Sequence, residues 1–97
     1  MFENISIIGC GLIGSSILRA LNKKKISKKI TVYDKSKEVL SHLRQENLSI
    51  NISNDIRVSV KDADVVIIAT PLSSYKEILL SIKDHFKKGS ILTDTGS

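Results

Sequence analysis

Cysteine, proline and tryptophan are nearly absent from this sequence of 97 residues. Cys10 is the single cysteine, so no internal disulfide can form and no oxidising compartment is needed. No apolar run approaches the roughly 18 to 20 residues that span a bilayer. The N-terminal MFENIS contains the acidic Glu3 and lacks the basic segment of a signal peptide. We therefore expect a cytoplasmic protein that has no membrane partner.

The charge balance is basic, with 15 Lys and Arg residues against 10 Asp and Glu, a net charge of +5. A basic chain could bind nucleic acid. However, aromatic residues make up only 4% of this one, and no stacking motif or recognition helix is visible. We interpret the lysine clusters as a solvated surface and expect no nucleic-acid partner, although a mild positive field also suits an anionic ligand. These clusters contain Lys23, Lys24, Lys25, Lys28 and Lys29, and farther along Lys87 and Lys88.

Short apolar segments alternate with segments of helical periodicity along the whole chain. Alternation of this kind, with strands that are apolar throughout, indicates a parallel sheet covered by helices on both faces. The length suits one domain over residues 1–97. We therefore predict an α/β fold: a Rossmann-type doubly wound parallel sheet in a three-layer α/β/α arrangement with about five strands. The predicted strands are 4–8, 30–33, 49–53, 64–69 and 90–94, and the predicted helices are 12–24, 36–47, 55–62 (left uncertain because of Val58) and 75–88.

The last predicted helix has clear local signals. The apolar residues that follow helical spacing in it are Tyr75, Ile78, Leu79, Ile82 and Phe86. The preceding SYKE, residues 74–77, has the pattern of a capping box, and the glycine at position 89 is predicted to end the helix.

Three glycines, Gly9, Gly11 and Gly14, stand in a G-x-G-x-x-G pattern directly after the first strand and at the start of the first helix. The pattern alone is weak, but the strand, the helix and an acid about twenty residues later together identify a dinucleotide-binding turn. The first glycine allows the tight turn, the second leaves room for a pyrophosphate, and the third lets the helix pack closely on the sheet. The helix N-terminus then offers unpaired N–H groups to the phosphates.

Asp34 is that acid, because it ends the second strand twenty positions after Gly14. A carboxylate there accepts hydrogen bonds from the adenosine ribose and repels a 2′-phosphate, which favours NAD over NADP. The neighbouring Lys35 leaves NADP open, since a cation there tolerates the extra phosphate. The alternative for Asp34 is a structural role as a strand-end turn residue or helix cap.

Thr70 and Pro71 end the fourth strand, next to the point where we expect the strand order to reverse, between strands one and four. Ligands of open α/β sheets bind outside the carboxyl ends of the strands at that reversal, so Thr70 is predicted to face the cofactor. Its alternative is a plain strand terminator. His42 and His85 lie on predicted polar helix faces, and no metal-ligand spacing occurs in the sequence, so we expect no metal site.

Two stretches go beyond a generic dinucleotide fold. GCGLIGSS at 9–16 and LTDTGS at 92–97, together with ADVVIIATP at 63–71, resemble the prephenate and arogenate dehydrogenase family. That family oxidises prephenate or arogenate with NAD(P), with loss of carbon dioxide, in tyrosine biosynthesis. The resemblance implies that Gly9, Gly11, Leu12, Ile13, Gly14 and Asp34 bind the dinucleotide. It also implies that Ser97 is catalytic, supporting the reacting hydroxyl and the histidine base.

The resemblance covers only the cofactor-binding half of a family member. The family's histidine base, substrate-binding arginine and helical dimerisation domain all follow the T-D-x-G-S segment. We therefore expect a domain cut short before that part, inactive by itself, and a homodimeric full-length enzyme. Two other interpretations remain open. One is a β-hydroxyacid or 6-phosphogluconate-type dehydrogenase, although Ile13 stands where that turn usually has methionine. The other is a non-catalytic NAD-binding regulatory module.

Overall fold

The computed structural model describes residues 2–9, 11–24, 27–46 and 49–94. The chain alternates strands and helices throughout, with a short 3₁₀ turn, Leu72–Ser74, before the last helix. The strands are β1 (Phe2–Ile8), β2 (Ser27–Tyr33), β3 (Asn51–Ser53), β4 (Val65–Ile68) and β5 (Ile91–Asp94). The helices are α1 (Leu12–Lys24), α2 (Lys37–Gln45), α3 (Ile56–Lys61) and α4 (Tyr75–Ile82).

All five strands are parallel and form one sheet in the order β3-β2-β1-β4-β5. The central strand β1 pairs with β2 on one side and β4 on the other; Ile7, for example, lies opposite Val32 and Ile67. The order therefore reverses between β1 and β4, as predicted. The carboxyl ends of β1, β2 and β4 meet at one edge of the sheet, where a crevice opens in folds of this kind.

Each face of the sheet carries its own apolar cluster, because successive strand side chains point to opposite faces. Ile7 is fully buried against residues of α1 and α2, with Leu18, Leu40 and Leu43 in the same cluster. The next residue, Ile8, belongs to the opposite cluster, whose other buried members are Val60, Ala63, Val66, Ile68 and Ile82. Helices thus cover both faces of the sheet, and the predicted Rossmann-type three-layer α/β/α fold is confirmed.

Short helices α2 and α3 begin at side-chain caps. The Ser36 hydroxyl accepts a hydrogen bond from the Val39 amide, and the Asp55 carboxylate accepts one from the Arg57 amide at 3.0 Å. Each cap satisfies one of the backbone amides that the first helical turn leaves unpaired. The uncertain helix predicted at 55–62 does form, as α3. Val58 on this helix is 63% exposed, so α3 is amphipathic.

The last predicted helix differs most from the structure. Helix α4 ends at Ile82, not at Gly89, and Leu79 within it is 37% exposed. Phe86 still packs against the apolar cluster, but from the irregular segment that follows the helix. The predicted capping box is also wrong: Ser74 has helical backbone angles in the 3₁₀ turn, and its side chain makes no capping hydrogen bond.

Strand β5 lies at the sheet edge, and all four of its residues are exposed. Ile91 is 53% and Leu92 44% exposed, so the predicted burial of this strand on both faces is not found among the described residues. None of the helices in the described ranges has the length and apolar content that a membrane crossing requires.

Asp64 joins three strands at the amino end of the sheet. Its Oδ2 accepts hydrogen bonds from the amides of Glu3, at 2.9 Å, and Asn4, at 3.0 Å, while Oδ1 pairs with the Lys87 ammonium. Its backbone carbonyl accepts from the Ile91 amide. The lysine and these amides stabilise the charged carboxylate and lower the pKa of Asp64 below its ordinary value of 3.8.

Candidate functional site

The first glycine of the motif makes the turn from β1 into α1. Gly9 has φ +90°, a left-handed conformation that L side chains rarely adopt, and its amide donates to the Tyr33 carbonyl at 2.7 Å. A Cβ at this position would lie 2.4 Å from Cγ2 of Thr70. The turn therefore needs glycine for both its backbone angle and its packing.

The third glycine sits beneath the same turn. A Cβ at Gly14 would lie 2.5 Å from the Gly9 carbonyl oxygen and 3.4 Å from Cβ of Ala69. Its absence lets the first turn of α1 approach the end of β1. Gly14 thus makes the predicted close approach, and it approaches the glycine turn as well as the end of the predicted fourth strand.

The second glycine has a different environment. A Cβ at Gly11 would meet no atom within 4 Å, and the residue is exposed immediately before α1. Neither packing nor a left-handed backbone requires glycine at this position. The open space in front of the N-terminus of α1 is where backbone N–H groups and the helix dipole attract an anion. Leu12 and Ile13 open the helix.

A cleft of about 380 Å³ opens beside this turn, at the carboxyl ends of β1, β2 and β4. It brings together six of the predicted site residues, namely Gly9, Gly11, Asp34, Lys35, Thr70 and Pro71. Gly14 is buried below, and Ser97 lies outside the described residues. The sequence analysis missed the opposite wall, which is formed by Ile56, Ser74, Glu77, Ile78 and Ser81. The apolar members of this wall follow core-like periodicity, so no sequence signal separated them from core residues.

Asp34 follows β2 and lines the cleft, and its side chain also bonds the backbone two residues later. Its Oδ1 accepts a hydrogen bond from the Ser36 amide at 2.9 Å, an Asx-type turn that leads into α2. The structural role weighed for this residue is therefore present. A carboxylate accepts several hydrogen bonds, so Asp34 can bond the turn amide and a ligand hydroxyl at the same time. Lys35 beside it is exposed.

Thr70 lines the cleft with a hydroxyl that lacks a partner. Its Oγ1 is buried and makes no hydrogen bond, unlike every other buried side-chain polar atom in the described part of the chain. An unpaired buried hydroxyl costs free energy, and such atoms often mark a place for a ligand or water. This orphan hydroxyl and the open space at Gly11 are features that a bound dinucleotide fits.

The histidines lie elsewhere. His42 and His85 are both exposed, and neither lines the cleft. Within the described ranges, no group of three or more His, Cys, Asp or Glu side chains is arranged to hold a metal ion.

Comparison with known families assigns the chain to one of them. The family model described as "NADP oxidoreductase coenzyme F420-dependent" matches residues 4–97. The chain belongs to this family. The matched residues include the glycine turn, the cleft, strands β2 to β5 and β1 from Asn4 onward.

Individual members give a finer likeness. The cyclohexadienyl dehydrogenase of Zymomonas mobilis is 37% identical over 97 residues, covering 100% of this chain and 33% of the relative. The prephenate dehydrogenase of Lactococcus lactis subsp. cremoris is 34% identical over 96 residues, covering 98% of this chain and 27% of the relative. The chain thus spans between about a quarter and a third of the length of these relatives. The predicted resemblance to prephenate and arogenate dehydrogenases is confirmed.

A solved structure has the same fold. The prephenate dehydrogenase from A. aeolicus, in complex with hydroxyphenyl propionate and NAD+, superimposes with a TM-score of 0.86 at 24% identity. The match covers 100% of this chain and 34% of the other. The family assignment agrees with the predicted nicotinamide dinucleotide cofactor. The chain is the NAD(P)-binding domain of an oxidoreductase family, and it is related to prephenate dehydrogenases.

Proposed function

We propose that this chain is the cofactor-binding part of an NAD-dependent dehydrogenase that oxidises prephenate or arogenate in tyrosine biosynthesis. The observation that carries the proposal is the glycine turn, which leaves an open, anion-attracting space at Gly11 beside an unpaired buried hydroxyl at Thr70. Two relatives named for cyclohexadienyl and prephenate oxidation support the substrate class.

In this proposal each wall of the cleft has a part in binding. The backbone amides at Gly11 and the start of α1 hold the pyrophosphate. Asp34 accepts hydrogen bonds from the adenosine ribose, and its negative charge disfavours a 2′-phosphate, so NAD is preferred and NADP remains an open second cofactor. Thr70 gives its hydroxyl to the cofactor and gains the partner it lacks. The dinucleotide, when bound, accepts the hydride.

Ser97 is the residue of this chain that we propose to act on the substrate. In the sequence it follows the last residue of β5 by three positions, and the resemblance implies a place beside the reacting part of the substrate. There its hydroxyl supports the ring hydroxyl that is oxidised as carbon dioxide leaves. Such a contact strengthens as charge develops, so it affects the rate more than binding. The base that takes the hydroxyl proton is proposed to follow this chain, since neither His42 nor His85 lines the cleft.

The test is the oxidation of prephenate and arogenate, followed by formation of the reduced cofactor. In the enzyme with its substrate-binding part, Ser97→Ala should lower kcat clearly and leave the Kd for NAD nearly unchanged. The 97-residue chain alone should show no turnover. Turnover by the short chain, or an unchanged kcat in the variant, would overturn this division of roles. A homodimeric enzyme in the cytoplasm remains a prediction from the sequence.

A further inference from the structure

The cleft continues past Asp34 into a part that neither the pyrophosphate proposed at the glycine turn nor the ribose proposed at Asp34 would fill. One wall of it is a single face of α4 and the turn before it, because Ser74, Glu77, Ile78 and Ser81 are spaced by three, four and seven residues. The other side is formed by Tyr33 at the end of β2 and by Ile56 at the start of α3.

Two branched apolar side chains shape this part of the cleft. Ile56 and Ile78 line it and also pack against the apolar cluster beneath the sheet, which fixes their positions. A flat aromatic ring system with apolar faces and polar edges suits such a space, because its faces contact the aliphatic side chains and its edges reach the rim.

The rim presents acceptors. The Ser81 hydroxyl donates to the Glu77 carbonyl at 3.0 Å. Because its proton is used in this hydrogen bond within the helix, its oxygen remains as an acceptor on the wall of the cleft. The Glu77 side chain is exposed and lines the cleft on the first turn of α4. An ionised carboxylate accepts hydrogen bonds and cannot donate them. It therefore favours a ring edge that carries an amino group and repels one that carries a carbonyl oxygen.

We propose that Glu77 is a specificity-determining residue that selects the adenine base of the dinucleotide by accepting a hydrogen bond from its 6-amino group. The inference rests on the proposed cofactor. With the pyrophosphate at Gly11 and the ribose at Asp34, the base enters the space between Ile56 and Ile78. A 6-oxopurine held in the same position brings its carbonyl oxygen against the carboxylate, so two acceptors face each other, and its N1–H can reach the carboxylate only if the base shifts.

Titration calorimetry with NAD+ and with nicotinamide hypoxanthine dinucleotide tests this, since the second compound differs in carrying a 6-oxo group. The unsubstituted protein should bind NAD+ about tenfold more tightly or better, the scale of one hydrogen bond to a charged group. Glu77→Gln should bring the two Kd values close together, because an amide can either donate or accept. Glu38→Gln is the matched control: Glu38 lies in the first turn of α2 and does not line the cleft, so it should keep the preference.

A purely structural role at the N-terminus of α4 would lower the stability of Glu77→Gln and leave the ratio of the two Kd values unchanged. That unchanged ratio would overturn the inference. Equal binding of both dinucleotides by the unsubstituted protein would also overturn it while leaving the proposed cofactor in place. Binding of neither compound would overturn the proposed function and this inference together.

Discussion

Gly9 and Thr70 approach so closely that a Cβ on the glycine would lie 2.4 Å from Cγ2 of the threonine. The contact joins the end of β1 to the residue that follows β4 by two positions. It therefore fixes the glycine turn against the wall of the cleft at the place where the strand order reverses. The same threonine carries the unpaired buried hydroxyl, so the side chain that packs against the turn is also the one we propose to bind the cofactor.

Gly9→Ala should destabilise the protein by about 2 to 5 kcal/mol, because a left-handed backbone strains alanine and the new methyl group overpacks the site. Urea unfolding measures the loss. Adding Thr70→Ser removes Cγ2, so the same glycine substitution should cost less in that background. Equal costs in both backgrounds would show that the contact with Thr70 contributes nothing to the requirement for glycine.

Asp34→Ser should raise the affinity for NADP relative to NAD by roughly 10- to 100-fold, the effect of losing a charged hydrogen bond of about 1.5 to 3 kcal/mol and of relieving repulsion. Serine can still bond the nearby Ser36 amide, which limits damage to the turn into α2. Calorimetric titration of each cofactor gives the ratio. An unchanged ratio would place cofactor selectivity elsewhere, with the exposed Lys35 as the next residue to substitute.

Asp64→Ala should lower the Tm at neutral pH, because two strand amides and Lys87 lose their shared acceptor. The folded state lowers the pKa of Asp64, so its contribution to stability is present above 3.8, the ordinary value, and disappears as the pH falls through the lower folded value. The Tm difference between the variant and the parent should shrink in that acidic range. Asp62→Ala, at an exposed aspartate beside it, is the control. A difference that stays constant with pH would contradict the role of the charge.

Much of the architecture could be predicted because local patterns and tertiary structure agree. Helix α1 has the predicted bounds, and Asp34, Thr70 and Pro71 reach one cleft because parallel strands end at the same edge. Strand β2 begins at Ser27, three residues before its predicted start, because pairing with β1 continues into the lysines at 28–29. Charged residues weaken the strand pattern in the sequence without preventing backbone pairing.

The end of α4 could not be predicted from spacing alone. Phe86 lies four positions after the buried Ile82, a helical interval, yet it packs against the same cluster from an irregular segment after the helix. The spacing of apolar residues indicates which of them are buried, but it does not indicate whether a helix or an irregular segment places them there. The wall of the cleft was missed for a related reason, because Ile56 and Ile78 serve the core and the cleft at once.

The central claim is that a dinucleotide binds at the open space in front of Gly11. Titration of NAD+ into Gly11→Val tests it most directly, because the backbone at this position is not left-handed and a new Cβ meets no atom within 4 Å. Valine would therefore occupy ligand space and not core space. Ala20→Val, at an exposed position on the same helix, is the control for adding a branched side chain.

We predict that Gly11→Val keeps the Tm of the parent protein and loses measurable binding of NAD+, while Ala20→Val binds as the parent does. Binding of NAD+ by Gly11→Val with the parent's affinity would contradict the account.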